Sequence, residues 1–192
     1  MKDLKSLINK KSPARQRGAD SLPASRPDIS NFLQQVKSMP PVNTNGRSGR
    51  LIFALDATAS REATWDKAMQ LQADMFASAS SLGGLQIQLC YFRGVAEFRA
   101  SDWYGDSSQL LPQMTGIRCQ AGITKIERLL EHVKAETRRE KVHAVVYVGD
   151  CMEESMDVLC QHAGELGLLR VPLFVFQEGP DITAQRCFVE MA

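Results

Sequence analysis

The stretch LIFALDATAS, residues 51–60, ends a hydrophobic run with three oxygen-bearing side chains at alternate positions. Asp56, Thr58 and Ser60 are separated only by alanines. Such a set could bind a hard cation, because Mg²⁺ takes oxygen ligands in a close octahedral shell. Asp56 could instead be a phosphoryl-accepting nucleophile. A polar strand end without a chemical role is the third interpretation.

Two further oxygen donors lie far along the chain. Thr124 stands in QAGITK before a helical stretch, and Asp150 ends the strand-like run VVYVGD. Ligands of α/β sheets bind beyond the carboxyl ends of the strands, so we expect all these side chains on one rim. Two carboxylates would balance the charge of Mg²⁺ or Mn²⁺, and hydroxyls would complete the shell and leave the ion able to accept a partner's carboxylate. The predicted metal ligands are Asp56, Thr58, Ser60, Thr124 and Asp150.

The surrounding sequence predicts an α/β fold with a doubly wound, mainly parallel sheet and helices on both faces. LIFALD, VHAVVYVGD and VPLFVFQEG are apolar runs typical of strands buried on both faces. LQIQLCYFRG followed by RGVAEFRASDW predicts a hairpin with one short antiparallel edge strand. Apolar residues recur at helical spacing between the strands, in residues 65–82, 107–114, 126–133 and 156–163. This β-α-β succession predicts a Rossmann-like fold.

The three polar elements resemble the von Willebrand factor type A (vWA) domain. Its metal-ion-dependent adhesion site (MIDAS) combines Asp-x-Ser-x-Ser with a distant Thr and a distant Asp. Here DATAS carries Thr58 in place of the first Ser, GIT supplies Thr124, and VGD supplies Asp150. The resemblance covers about residues 50–190, and it is to bacterial-type intracellular vWA proteins.

The resemblance implies a non-enzymatic, magnesium-dependent protein–protein interaction module. Ser60, Thr124 and Thr58 would contact Mg²⁺ (or Mn²⁺) directly, and Asp56 and Asp150 would act directly or through water. A protein partner would contribute an Asp or Glu as the final ligand. No residue is assigned to catalysis or to an organic cofactor, because the sequence has no phosphate-binding glycine loop and no nucleophile elbow.

The vWA-like domain is expected over residues 50–192. The family has a sixth strand and a final helix after the run at residues 171–176, whereas this chain stops at CFVEMA. We therefore expect the last strand and helix to be missing.

Two alternatives remain open at this stage. One is a Mg²⁺-dependent phosphatase or phosphotransferase similar to the haloacid dehalogenases, with Asp56 as nucleophile and with Asp150 and Glu154 holding the ion. Thr58 stands where such enzymes have a general acid, and a threonine hydroxyl cannot protonate a leaving group near neutral pH. The other is an α/β scaffold that binds no metal.

Several neighbours of the motif have more than one interpretation. Arg61, Trp103 and Lys125 either border the metal face and select a partner or serve packing. Cys151 is interpreted as a small, partly buried residue, and GluGlu at 153–154 as acids in the first turn of a helix, where the helix dipole favours negative charge.

Residues 1–49 are predicted to form a flexible basic arm. Residues 1–50 contain five of the eight prolines and ten Lys or Arg against three Asp, a net charge of +7. A short helix is predicted within it, capped by Asp28 and with Ile29, Phe32, Leu33 and Val36 on one face. The arm lacks aromatic interleaving and dense basic clusters, which argues against nucleic acid as the partner.

The composition predicts a cytoplasmic protein. No apolar stretch reaches the roughly 18 residues of a membrane span, and the N-terminus has no apolar signal-peptide core. The five cysteines are an odd number without a Cys-x-x-Cys pair, which argues against a disulfide framework and a zinc knuckle. Reduced thiols are the expectation.

Overall fold

A computed structural model of the chain describes residues 34, 49–63, 65, 66, 69, 70, 73 and 85–192. The predicted basic arm and its short helix lie outside the described residues, apart from Gly49 and the exposed, helical Gln34. In the predicted helix at 65–82, the described residues 65, 66, 69, 70 and 73 are helical, and the rest of that helix lies outside the description.

The described strands form one five-stranded sheet in the order β3-β2-β1-β4-β5. Their bounds are β1 Gly49–Asp56, β2 Leu85–Arg93, β3 Glu97–Tyr104, β4 Ala144–Gly149 and β5 Leu173–Gln177. All neighbours are parallel except β2 and β3, which form the predicted antiparallel hairpin. The fold prediction is therefore confirmed, including the single antiparallel edge strand.

Four described helices accompany the sheet. They are α1 Ser107–Gly116, α2 Ile126–Arg139, α3 Met156–Leu168 and α4 Ile182–Met191, and a short 3₁₀ turn spans Ala59–Arg61. The helix predicted at 107–114 is thus confirmed and extends two residues further. None of the described helices is long and apolar enough to cross a membrane.

Strands β1 and β4 lie inside the sheet, and both of their faces are covered. Alternate residues such as Ile52 and Tyr147 pack into one core with α2, α3 and α4. The intervening residues, such as Phe53 and Val146, pack into a second core with α1 and Trp65. This two-sided burial explains why LIFALD and AVVYV are continuously apolar rather than alternating.

The chain order reverses between β1 and β4. From β1 the chain runs outward through β2 and β3, and it then returns to place β4 on the other side of β1, with Leu55 paired to Val148. Such a reversal opens a crevice at the carboxyl ends of the two strands. Asp56 ends β1, and Asp150 follows Gly149 at the end of β4, so both acids stand at this crevice.

Candidate metal centre

Asp56 is fully buried, and only one of its two carboxylate oxygens accepts a hydrogen bond within the described part of the chain. Its Oδ1 accepts the backbone N–H of Thr58 at 2.8 Å. Its Oδ2 is buried without a hydrogen-bond partner among the described residues. The pKa of Asp56 is raised from 3.8 to about 6, chiefly by burial and to a smaller extent by the nearby Asp150 carboxylate, against the lowering effect of the hydrogen bonds from Thr58.

Asp150 presents a second carboxylate oxygen to the same space. Its Oδ1 is also buried without a partner among the described residues. Carboxylate oxygens of Asp56 and Asp150 and the Sγ atom of Cys151 all lie within 4.8 Å of one another. Neighbouring carboxylates that each have a buried oxygen without a hydrogen-bond partner repel each other unless a proton or a cation lies between them. The donor set therefore fits a divalent cation.

Thr58 and Ser60 bring hydroxyls to the turn that leaves β1. Thr58 has extended backbone and stands immediately before the 3₁₀ turn, and its Oγ1 lies 3.0 Å from the Oγ of Ser60. Thr58 is buried, whereas Ser60 is exposed. The three alternating oxygen-bearing side chains thus run from the buried Asp56 to the solvent-exposed Ser60.

Thr124 is held by the segment that follows Asp150. Its backbone N–H donates to Oε2 of Glu153 at 2.8 Å, and its Oγ1 accepts the backbone N–H of Glu153 at 3.1 Å. Thr124 is buried. Because Glu153 lies three residues after Asp150, this reciprocal pair fixes the Thr124 loop to the Asp150 loop.

The loops after β1 and β2 are also joined to the segment before α2. The N–H of Gln120 donates to the carbonyl of Ala57 at 3.0 Å, and its carbonyl accepts the N–H of Gly94 at 3.3 Å. Gly122 approaches the same turn so closely that a Cβ there would lie 2.0 Å from the Gly94 carbonyl oxygen. Gly122 is therefore required for this approach, since any side chain would collide with backbone.

Of the two interpretations of Arg61, the structure supports packing. Arg61 is buried and donates to the Asp56 carbonyl at 2.9 Å, to the Val148 carbonyl at 3.3 Å and to Oε2 of Glu178 at 2.5 Å. These bonds tie the ends of β1 and β4 to the residue after β5. Arg61 therefore stabilises the rim from beneath.

The structure also supports the packing interpretation of Trp103. Its ring lies 3.7 Å from the guanidinium carbon of Arg50, and its Nε1 donates to Glu136 at 3.0 Å. Arg50 is the second residue of β1, so Trp103 packs at the opposite end of the strand from Asp56. Lys125 does directly precede α2 on the Thr124 loop, where it is half-buried.

The first-turn interpretation of Glu153 and Glu154 is wrong, because α3 begins at Met156 after Ser155. Glu154 instead accepts the N–H groups of Ile126 at 2.9 Å and Glu127 at 2.8 Å, which are the first two residues of α2. A helix start leaves such N–H groups without intrahelical partners.

The sequence held an indirect signal for this cap. Lys125, the residue before α2, has no side-chain oxygen to cap the helix. Because Glu154 has both carboxylate oxygens in these bonds, its position argues against the metal-ligand role that the phosphatase hypothesis gives it.

The chain is similar to known proteins in fold. No protein-family model and no curated protein matches the sequence. Among solved structures, the SpRpn10 VWA domain superposes with a TM-score of 0.61 at 11% identity, covering 76% of this chain and 82% of that one. The manganese-loaded TRAP protein of Plasmodium vivax gives a TM-score of 0.61 at 19% identity, covering 76% of this chain and 63% of that one.

A mussel byssus protein, proximal thread matrix protein 1, also superposes, with a TM-score of 0.52 at 15% identity over 76% of this chain and 39% of that one. The chain therefore has a vWA-like, Rossmann-type fold, as the resemblance implied. At these identities the likeness establishes the fold alone.

Proposed function

We propose that this chain is a non-enzymatic protein-interaction domain that binds its partner through a divalent cation, Mg²⁺ or Mn²⁺. The observation that carries the proposal is the pair of buried carboxylate oxygens, on Asp56 and Asp150, that lack partners at the crevice between β1 and β4. The ion's ligands would be Asp56, Thr58, Ser60, Thr124 and Asp150, as in a MIDAS.

Electrostatics supports a cation at this position. Asp56 is buried beside the partly buried Asp150, and its raised pKa reflects chiefly the cost of ionising a carboxyl group removed from water, to which the Asp150 carboxylate adds. A divalent ion would offset that cost, because both carboxylates would be attracted to a common positive charge. A structure of similar fold is described as manganese-loaded, so the fold is compatible with such an ion.

The solvent side of the site supports a protein ligand as the last donor. Ser60 is exposed, and Ile123, which adjoins Thr124, is 52% exposed despite its apolar side chain. A partner's Asp or Glu would reach the ion past Ser60, and an apolar contact at Ile123 would add affinity through buried area. Mg²⁺ usually keeps water ligands, and one of these would be replaced by the partner's carboxylate.

Phosphoryl transfer by Asp56 is the second hypothesis, and two features argue against it. Glu154 is engaged at the start of α2. Thr58 offers a hydroxyl in place of the general acid. The hypothesis predicts Mg²⁺-dependent phosphate release that disappears in Asp56→Asn; a protein inactive on a broad phosphoester panel would exclude it.

The metal step is tested by thermal unfolding with and without divalent ions. A ligand present at 100 times its dissociation constant stabilises the native state by about 2.7 kcal/mol. We expect millimolar Mg²⁺ or Mn²⁺ to raise the melting temperature of the wild type and of Glu131→Gln, an exposed acid outside the site, but not that of Asp150→Ala. An equal rise in Asp150→Ala would contradict the assigned ligands.

The partner step is tested by affinity capture from a lysate with the full chain as bait. Wild type in Mg²⁺ is compared with wild type in chelator and with Asp150→Ala in Mg²⁺. The proposal expects a protein retained only in the first condition. A partner retained equally in all three conditions would show that recognition does not use the cation.

We also propose a cytoplasmic location. All five cysteines are free thiols in the structure, and thiols stay reduced in the cytoplasm. Cell fractionation tests this, and recovery of the protein outside the cell would contradict it.

A further inference from the structure

Cys151 is the cysteine that joins the acidic pair. Its Sγ lies within 4.8 Å of carboxylate oxygens of both Asp56 and Asp150, and it is a free, partly buried thiol. The other four cysteines belong to no metal-capable group of acids, histidines and cysteines among the described residues. A soft sulfur donor therefore stands beside the hard oxygen donors of the proposed site.

We propose that Cys151 becomes a ligand when the cation is Zn²⁺, and that the site binds Zn²⁺ more tightly than the Mg²⁺ or Mn²⁺ of the proposed function. This inference rests on the proposed metal-dependent function and specifies the class of ion. For Zn²⁺ it predicts Asp56, Asp150 and Cys151 as the protein ligands, whereas the hydroxyls of Thr58, Ser60 and Thr124 would contact only Mg²⁺ or Mn²⁺.

The chemistry of the donor set supports this preference. Carboxylate, hydroxyl and water oxygens suit Mg²⁺ and Mn²⁺, whereas a thiolate favours Zn²⁺ over both. Zn²⁺ binds sulfur at about 2.3 Å and carboxylate oxygen at about 2.0 to 2.2 Å, so tetrahedral ligands lie about 3.5 Å apart. The three atoms here are separated by at most 4.8 Å, and small side-chain movements close the difference.

The number of ligands also agrees with the proposed interaction. Zinc sites that bind an exchangeable ligand have three protein ligands and one open position. Here the open position would take water in the free protein and the partner's carboxylate in the complex. The two unpartnered carboxylate oxygens, Asp56 Oδ2 and Asp150 Oδ1, are the acceptors that the ion would satisfy.

The loop geometry favours coordination by adjacent residues. Asp150 and Cys151 follow β4 directly, and the next residues of the loop are fixed by the Glu153 and Glu154 bonds to Thr124 and α2. A loop held at both ends gives its ligands little freedom, which lowers the entropic cost of assembling the centre.

The experiment uses Co²⁺ as a spectroscopic substitute for Zn²⁺ on the reduced, full-length chain. The wild type is expected to develop a near-ultraviolet thiolate-to-Co²⁺ charge-transfer band, and Zn²⁺ is expected to abolish it by displacement. Cys151→Ser should lose the band, while Cys119→Ser, which changes another half-buried cysteine near the rim, should keep it. A band that persists in Cys151→Ser, or no band in the wild type, overturns the thiolate ligand.

Calorimetric titration separates failure of this inference from failure of the proposed function. We expect Cys151→Ser to lose Zn²⁺ affinity by about tenfold or more while Mg²⁺ or Mn²⁺ affinity stays within about threefold of wild type, which also shows that the variant is folded. Equal Zn²⁺ affinity in wild type and Cys151→Ser refutes the thiolate ligand and leaves the oxygen site intact. Absence of binding of every divalent ion to the wild type refutes the proposed function itself.

Discussion

The metal-free protein should become more stable when Asp56 is replaced by Asn. Asn preserves the shape and keeps an Oδ1 acceptor for the N–H of Thr58, but it removes a charge from a fully buried position beside Asp150. In native proteins most substitutions of a buried, hydrogen-bonded acid are destabilising. A stabilising effect here would identify a site that sacrifices stability for binding.

The magnitude follows from the pKa of Asp56, which burial raises from 3.8 to about 6. A native state with the higher pKa binds the proton more tightly than the unfolded chain. Its free energy of unfolding therefore falls as the pH rises from about 4 to about 6 and is level above that range. Each pKa unit corresponds to about 1.4 kcal/mol of free energy. The rise of about two units therefore means that ionised Asp56 lowers the free energy of unfolding of the metal-free protein by about 3 kcal/mol at pH 7. The buried NH₂ of Asn offsets part of the gain, which leaves an expected stabilisation of about 1 to 3 kcal/mol.

The assay is urea unfolding of the wild type and Asp56→Asn in chelator between pH 4 and pH 8. The free-energy difference between them should be greatest above pH 6 and should shrink towards pH 4. Asp106→Asn is the control. Asp106 is an exposed helix cap whose pKa is lowered by the N–H of Ser108, so this substitution should change the free energy of unfolding in the opposite direction. Mn²⁺ should reverse the order by stabilising the wild type alone. Asp56→Asn less stable than wild type at every pH would refute the reasoning.

The remaining predictions concern the parts that hold the site, and each is measured by urea unfolding or metal titration. Arg61→Met should destabilise the protein by about 3 to 5 kcal/mol because it leaves the buried Glu178 carboxylate unpaired, and the double change with Glu178→Met should recover much of this loss; no recovery would contradict the pairing. Glu154→Ala should cost about 1 to 2 kcal/mol and speed hydrogen exchange at the first amides of α2; unchanged exchange would show that the cap is dispensable. Gly122→Ala should weaken Mn²⁺ binding because its Cβ would meet backbone, whereas Gly164→Ala, in the middle of α3 with open space around it, should stabilise by about 0.5 to 1 kcal/mol; similar effects of both changes would argue against the close loop contact.

The sequence predicted the features that depend on local pattern. Continuous apolar runs identified β1 and β4, and the rule that ligands bind at the carboxyl ends of parallel strands predicted that Asp56 and Asp150 would meet. The structure brings these two acids together. The hydroxyls of Thr58 and Ser60 also lie together, because both follow the same strand end.

The features that sequence reasoning missed depend on contacts between distant segments. Glu154 lies 28 residues along the chain from Ile126, whose N–H it accepts. Arg61 lies 117 residues from Glu178. A charged residue beside a motif is usually exposed, so the burial of Arg61 has no local signal. Cys151 was interpreted as a small, partly buried residue, and it is one, but only the fold shows that its sulfur lies near Asp56 as well as Asp150.

The most direct test of the proposed cation site is a crystal structure of the protein grown with Mn²⁺, with the ion located by its anomalous scattering. We expect an anomalous peak at the crevice between β1 and β4, within coordination distance of the Asp56 and Asp150 carboxylates. The acid–histidine group of Glu127, Glu131 and His162 on α2 and α3 is the other described cluster able to hold an ion. A peak there alone, or no peak at either place, would contradict the assignment of the site.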